Sequence, residues 1–385
     1  MNHKARVIAF YLPQFHPIPE NDKWWGKGFT EWTNVGRAKP LFRGHYQPRV
    51  PADLGYYDLR LPEVREAQAQ MAREAGIEGF CYWHYWFGNG KQLLERPFNE
   101  VLASGKPDFP FCLGWANHDW TSKTWDLGQK KVKDTTLIAM NYNEDDYRKH
   151  FYHLLPAFQD NRYIKVDEKP LFYIFRPLDI PNPRAFIELW QELAIQNGLK
   201  GIYFVGMQYN MLSREQTLGN IFLKNAPNQA SMLYNQVLNV GFDAVNSRGY
   251  NRADYFCRSF GDIIWRGVNL RLFHRPTVSK CDQRRVNKFL FVEEDLWDNV
   301  FPTLLPNWDR SARGGKKARI YINSTPEVFR EQMKHVIDMM KTKQPEHRIA
   351  FLMSWNEWAE GNYVEPDLKY GRGFLDVIKE CLQGG

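Results

Sequence analysis

Short runs of β-branched and aromatic residues alternate along the chain with longer stretches of helical periodicity, and this alternation restricts the fold more than any other feature. Such a pattern builds parallel strands covered by helices. Eight strands are predicted, at Arg6 to Leu12, Ile77 to Trp86, Pro110 to Asn117, Lys169 to Phe175, Gly201 to Gln208, Phe242 to Asn246, Phe301 to Asn307 and Arg348 to Trp355. The clearest helices are Pro62 to Ala75, which opens with proline at a first-turn position, and Pro326 to Lys341. Eight strand–helix units predict an α/β fold, a closed (β/α)8 TIM-type barrel, forming a single domain over residues 1–385 with elaborated loops at the catalytic face. A doubly wound open sheet is the alternative that the same alternation permits. There is no internal repeat or linker, and residues 247–300 read as a local elaboration over the barrel mouth.

A barrel of this kind carries its active site in the loops at the carboxyl ends of its strands. The unusual residues cluster there. Trp24, Trp25, Glu31 and Trp32 follow the first predicted strand, His84 to Trp86 end the second, and Trp115, Asn117, His118, Asp119 and Trp120 surround the end of the third. Asn307, Trp308 and Asp309 follow the seventh, and Asn356, Glu357, Trp358 and Glu360 the eighth.

Composition narrows the chemistry. The 14 Trp, 19 Tyr and 26 Phe either pack the core or offer flat faces to sugar rings. A net charge of +7 fits an anionic partner and fits ordinary surface solvation equally. The densest basic run, Arg310, Arg313, Lys316, Lys317 and Arg319 around Gly314 and Gly315, reads as a flexible surface loop rather than a phosphate loop. No strand-anchored Gly-x-Gly-x-x-Gly or Walker motif occurs, so neither a nucleotide cofactor nor a nucleic-acid partner is expected. His150 and His153 have no carboxylate or cysteine beside them and predict packing, not a metal site. Five scattered cysteines without a Cys-x-x-Cys pair predict reduced thiols. The apolar run Val7 to Leu12 is too short for a secretory signal, and no stretch is long enough for a transmembrane segment, so a cytoplasmic location is expected.

Glycoside chemistry needs one carboxyl group to handle the proton of the glycosidic oxygen and a second to activate the attacking group. Glu357 and Glu360 supply such a pair, because positions three apart share a face if the chain turns helically after Trp355. Trp355 and Trp358 beside them offer apolar walls that raise a carboxyl pKa, although a solvated pair in a loop has the same sequence. Glu31 and Asp309 are placed to orient hydroxyls. His16 and His84, at strand ends, are candidates for sugar contacts, as Trp25, Trp115 and Trp355 are for stacking.

The segment from Ser354-Trp355-Asn356-Glu357-Trp358-Ala359-Glu360-Gly361 through Asp367, continued by Tyr370-Gly371-Arg372-Gly373, resembles the signature of the WbsX-type polysaccharide-biosynthesis family, described also as glycoside hydrolase family 99-like. Phe10-Tyr11-Leu12-Pro13-Gln14-Phe15-His16, Gly28 to Val35, Trp115-Ala116-Asn117 with Trp120-Thr121, and Asn307-Trp308-Asp309 with Ala312-Arg313 extend the resemblance in order along the chain. It implies a (β/α)8 barrel acting on an oligosaccharide or polysaccharide, with Tyr11, Trp32, Asn117, Asp119, Trp308, Asn356 and Trp358 among the substrate contacts. Family 99 enzymes are retaining endo-acting α-mannoside hydrolases whose catalytic pair lies in an Asn-Glu-Trp-His-Glu-Gly segment. Carried over by position, Glu357 is the base towards the substrate's 2-hydroxyl and Glu360 the acid. Ala359 replaces that histidine, and His118-Asp119 stands where the WbsX-type pattern begins with glutamate. Two other functions fit the same resemblance: a nucleotide-sugar-dependent glycosyltransferase of O-antigen or capsule assembly, against which the missing Asp-x-Asp motif counts, and a non-catalytic glycan-binding barrel.

Overall fold

The computed structural model describes residues 4–122, 135–208, 228–257 and 278–383, together with 264, 268, 269, 271 and 272. The eight expected strands form as β1 (Arg6–Tyr11), β2 (Gly79–Gly88), β3 (Phe111–Trp115), β4 (Lys169–Ile174), β5 (Tyr203–Met207), β6 (Ala244–Ser247), β7 (Val300–Leu304) and β8 (Ile349–Leu352). Each pairs in parallel with the next, and β8 returns to β1 with Arg6 opposite Ile349 and Ala9 opposite Leu352. The other edge of β1 pairs with β2, Ile8 opposite Gly79, so the sheet closes and the open-sheet alternative is excluded.

The helices start where local chemistry tells them to. Asn143 accepts a hydrogen bond from the Asp146 N–H at the head of Glu144–Phe158, and Asn182 one from Ala185 at the head of Pro183–Gln196. Thr325 does the same for Val328 ahead of Pro326–Met340, with proline at the first turn. Their apolar stripes cover the outside of the barrel, where Phe151, Phe186 and Trp190 are fully buried.

Much of the aromatic content fills the barrel interior. Phe10 stacks between Trp83 at 4.8 Å and Phe351 at 5.1 Å, and meets Tyr173 edge-on at 4.9 Å. Above these rings Tyr173 Oη donates to Asn246 Oδ1, and Asn246 Nδ2 donates to the Phe301 carbonyl and to Thr303 Oγ1, so the buried amide is satisfied.

Of the expected elaboration over 247–300, residues 258–263, 265–267, 270 and 273–277 lie outside the described residues. The described part includes the helix Tyr250–Phe256, the strand Ser279–Asp282 and the helix Gln283–Leu290. That strand pairs in parallel with Arg319–Ile322, and Tyr321 N donates to the Trp308 carbonyl at 2.7 Å. The elaboration therefore braces the segment after β7. Among the described residues no helix is long and apolar enough to cross a membrane. The five cysteines are unbridged.

Gly249, at the end of β6, lets the carbonyl of Leu290 approach so closely that a Cβ there would lie 1.7 Å from its oxygen. Gly249→Ala must push Gln283–Leu290 away from the barrel end, and overpacking of this kind costs about 1–3 kcal/mol. Urea unfolding is expected to show that loss with an unchanged m-value; an unchanged midpoint would mean that the elaboration shifts without cost.

Candidate active site

Three loops from the carboxyl ends of β1, β7 and β8 meet on one arginine. Arg313 Nη1 lies 2.5 Å from Glu360 Oε1 and 3.2 Å from Glu357 Oε1, and Nη2 lies 2.8 Å from Glu31 Oε1. Glu31 opens the short helix Glu31–Arg37 after β1, is fully buried, and also accepts from the Ala359 N–H at 2.9 Å. Ala359 is itself fully buried, so its backbone amide, not a side chain, contributes at that position. Arg310 Nε adds a second cation, 3.1 Å from Glu360 Oε1.

Asp309 fixes the β7 segment that carries Arg313. Its N–H donates to the Glu360 carbonyl at 2.8 Å, and its Oδ2 receives Gln47 Nε2 at 2.8 Å and lies 2.9 Å from His45 Nε2. Burial alone raises a carboxyl pKa, but His45, Arg49 and the Ser311 donor outweigh it and hold Asp309 well below the usual range. Arg49 Nη1 then joins Asn307 Oδ1 at 2.5 Å to the Gly361 carbonyl at 3.2 Å. Gly361 takes a left-handed φ of 62°, and a Cβ there would meet Asp309 at 2.9 Å.

The eighth loop is anchored from below. Trp358 stacks on Tyr363 with ring centroids 3.7 Å apart, and its Nε1 donates to Glu365 Oε2 at 2.6 Å. Glu365 also accepts from Tyr57 Oη and Gln68 Nε2, and Tyr11 Oη donates to Gln68 Oε1. With Trp358 pinned inward, Glu357 and Glu360 on either side keep partial exposure at the mouth.

The two carboxyls differ in proton affinity. Burial pushes Glu357 up, the neighbouring Glu360 adds to this, and Arg313 opposes it, leaving it at about 7. Glu360 is raised by burial too, but Arg310 and Arg313 outweigh that and hold it below the usual range. At neutral pH Glu360 is the ionised member of the pair and Glu357 the one that more readily holds a proton. The rim beside them is aromatic: Trp83, Phe175 and Tyr250 keep exposure, and Tyr250 stacks on Trp308 at 5.2 Å. Across β3 and β4 an open groove of about 680 Å³ is lined by Asn117, His118, Asp119, Tyr142, Arg176 and Asp179.

Of the residues singled out in the sequence, the structure brings Glu31, Glu357 and Glu360 together, sets Trp308 at the rim, and places Asn117 and Asp119 along the groove. Trp25 is half-buried against Phe29. Trp32 and Trp358 stand behind the pair, 5.4 Å apart, with Trp32 Nε1 on the Tyr57 carbonyl.

Several expected sugar contacts are instead structural. Tyr11 is fully buried in the Gln68 network, and Trp355 packs against Phe80. Trp115 lies under His150 and Phe186 with Nε1 on the Trp86 carbonyl. His84 faces the helix layer with Nε2 2.9 Å from His150 Nε2, and burial pushes it down to about 3. His16 is buried near Asp58 and Arg60. Asp309 spends its carboxylate on the loop clamp. Asn356 exchanges two hydrogen bonds with the Leu12 backbone, and Asn117, though it lines the groove, exchanges two with Arg176. Arg313 departs furthest from expectation. The run containing it reads as a solvated loop, yet the three carboxylates draw its guanidinium into the interior.

A family model described as Glycosyltransferase WbsX matches residues 7–378. The protein WxcX of Xanthomonas campestris pv. campestris, in two strains, is 34% identical over 386 residues, covering 98% of this chain and 50% of WxcX. The chain thus spans about half the length of the curated relatives it matches. A structure of the GH99 endo-alpha-mannosidase from Bacteroides thetaiotaomicron aligns with a TM-score of 0.55 at 14% identity, covering 98% of this chain and 96% of that one. A second structure of it gives 0.53 at 14% identity over 98% and 97%. At such identity the likeness shows a shared barrel fold.

The opposed shifts give opposite stability signatures. A carboxyl whose folded pKa lies above its unfolded value binds more protons when folded, so its contribution to stability falls as pH rises from about 4.5 to 7. Glu357→Gln is therefore expected to gain on the parent protein over that window, by on the order of 2–3 kcal/mol. Glu360, depressed in the fold, stabilises above its unfolded pKa and loses this as pH falls through its folded value. Glu360→Gln is thus expected to lose ground at neutral pH and recover it in acid. Melting curves from about pH 2 to 8 read both, and parallel pH profiles for the two variants would refute the division.

Proposed function

The chain belongs to the WbsX family, and we propose that it is a carbohydrate-active enzyme that breaks or transfers a glycosidic bond within a bacterial surface polysaccharide, using Glu357 and Glu360 as its proton-transfer pair. The observation that carries this reading is the single Arg313 nitrogen in contact with both carboxyls, one held at about 7 and the other kept ionised. Divergent proton affinities in a close pair are what acid–base chemistry on an acetal needs. The shared donor holds the two carboxyls close together, which suits retention of anomeric configuration. The open groove at the ends of β3 and β4 offers room for further sugar units of a chain, as endo action requires.

In this mechanism Glu357 delivers its proton to the departing glycosidic oxygen. Glu360 takes the proton of the substrate's 2-hydroxyl, whose oxygen closes onto the anomeric carbon to give a 1,2-anhydro sugar. Glu357, now ionised, deprotonates the incoming water or sugar hydroxyl that opens that ring from the first face. The 2-oxygen recovers its proton from Glu360. These roles are the reverse of those the family resemblance implies, because Arg310 and Arg313 both sit on Glu360 while Glu357 has the longer contact with Arg313. The family's description as a glycosyltransferase favours a second reading, in which the same pair serves a sugar acceptor in place of water. Incubation with surface polysaccharides, with and without nucleotide sugars, separates the readings by product size in mass spectrometry. Absolute dependence on a nucleotide sugar would overturn the hydrolytic one.

Glu357→Gln and Glu360→Gln are each expected to lower turnover by about 10²–10⁴-fold. Aryl glycosides whose phenol leaves without protonation should restore Glu357→Gln and not Glu360→Gln. Restoration of Glu360→Gln instead would return the acid role to Glu360, and near-normal rates in both would remove the pair from the chemistry.

A further inference from the structure

Arg248 follows β6 directly, and its guanidinium sits at the barrel mouth 5.5 Å from the Phe175 ring and 5.4 Å from the Tyr250 ring. Its charge reaches both Glu357 and Glu360. It is only 8% exposed, yet among the described residues no carboxylate lies within ion-pair distance, in contrast to Arg313 and Arg310. Its Nε is buried without an acceptor, and its Nη2 lies 2.9 Å from the Met353 thioether, a weak acceptor. Nε and Nη2 form one edge of the guanidinium fork, and that edge pairs side-on with a carboxylate. A buried cation left this way carries a desolvation cost that a bound anion would offset. Phe175 meets Trp83 edge-on at 5.5 Å, and the partly exposed Trp83, Phe175 and Tyr250 make an aromatic wall beside the charge.

We propose that the sugar bound beside Glu357 is a hexuronate, its carboxylate paired with Arg248 and its ring set against the aromatic wall of Trp83, Phe175 and Tyr250. This rests on the glycosidic reading of the site and names its substrate class as an acidic polysaccharide. A carboxylate suits the place better than a phosphate: it brings one charge to one guanidinium, whereas a phosphate near two charges would face the ionised Glu360 with half its charge unmatched. Met353, unbranched and flexible, is the side chain that gives way as the carboxylate enters.

Binding of glucuronate, galacturonate and mannuronate, each against its parent hexose, tests this by ligand-observed NMR titration. At least one uronate is expected to bind at least tenfold tighter than its hexose. Arg248→Met should erase that preference, and Arg248→Lys, keeping the charge but not the fork, should retain part of it. Melting curves report whether each variant folds, and the lysine variant carries the test if the methionine variant does not. Glu357→Gln should keep the preference while turnover is lost, so binding is read apart from catalysis. Equal binding of uronates and hexoses, a preference that survives Arg248→Met, or displacement of uronate by inorganic phosphate or UDP at lower concentration would each overturn the proposal. Uronate preference without cleavage of any glycan would sink the catalytic reading instead. Cleavage confined to neutral glycans would sink this one.

Discussion

One guanidinium against three carboxylates is the interaction on which the mouth of this barrel depends. Glu31, Glu357 and Glu360 come from opposite ends of the chain and would repel one another at close range in a medium poorer than water. Arg313 meets all three through two nitrogens, and Arg310 shares the load on Glu360. Buried charges hold such positions only when their partners are fixed. Here the fixing is done by the Asp309 clamp, in which His45, Gln47 and Arg49 grip the β7 segment and the Asp309 N–H ties it to the Glu360 carbonyl.

The same arrangement separates two residues that are chemically identical. Glu357 and Glu360 flank Trp358, and the indole is locked by Tyr363 on its face and Glu365 at its nitrogen. The chain therefore has little freedom to exchange the positions of the two glutamates. Glu360 lies nearer Arg310 and Arg313 and Glu357 on the side of Tyr85, so their unequal proton affinities follow from backbone geometry.

The strands and main helices were legible because short β-branched runs and first-turn prolines are local signals. The glutamate pair was legible from its spacing and its neighbours. Face was harder to read. Successive strand residues point to opposite sides, and parallel barrel strands are apolar on both, so nothing in the β2 run tells Trp83, which reaches the mouth, from His84, which packs under the helices. Polar residues at strand ends misled for a related reason. Asn117 and Asn356 look like sugar contacts, but each amide is spent on the backbone of a neighbouring loop. Arg313 read as solvated because its partners lie 44, 47 and 282 positions away. Arg248 is a basic residue whose environment, Tyr250 apart, comes from other strands.

The seam between Leu12 and Asn356 joins positions 344 apart, and it closes the loops that hold Glu31 and the glutamate pair. Synthesis at about 5–20 residues per second puts roughly half a minute between the emergence of the two. Through most of that interval Glu31 is out on the nascent chain without Arg313, and through all of it without the glutamate pair. The cluster is complete only when the eighth strand is in place, so a chain cut short before it leaves Glu31 and Arg313 without the two glutamates that join them.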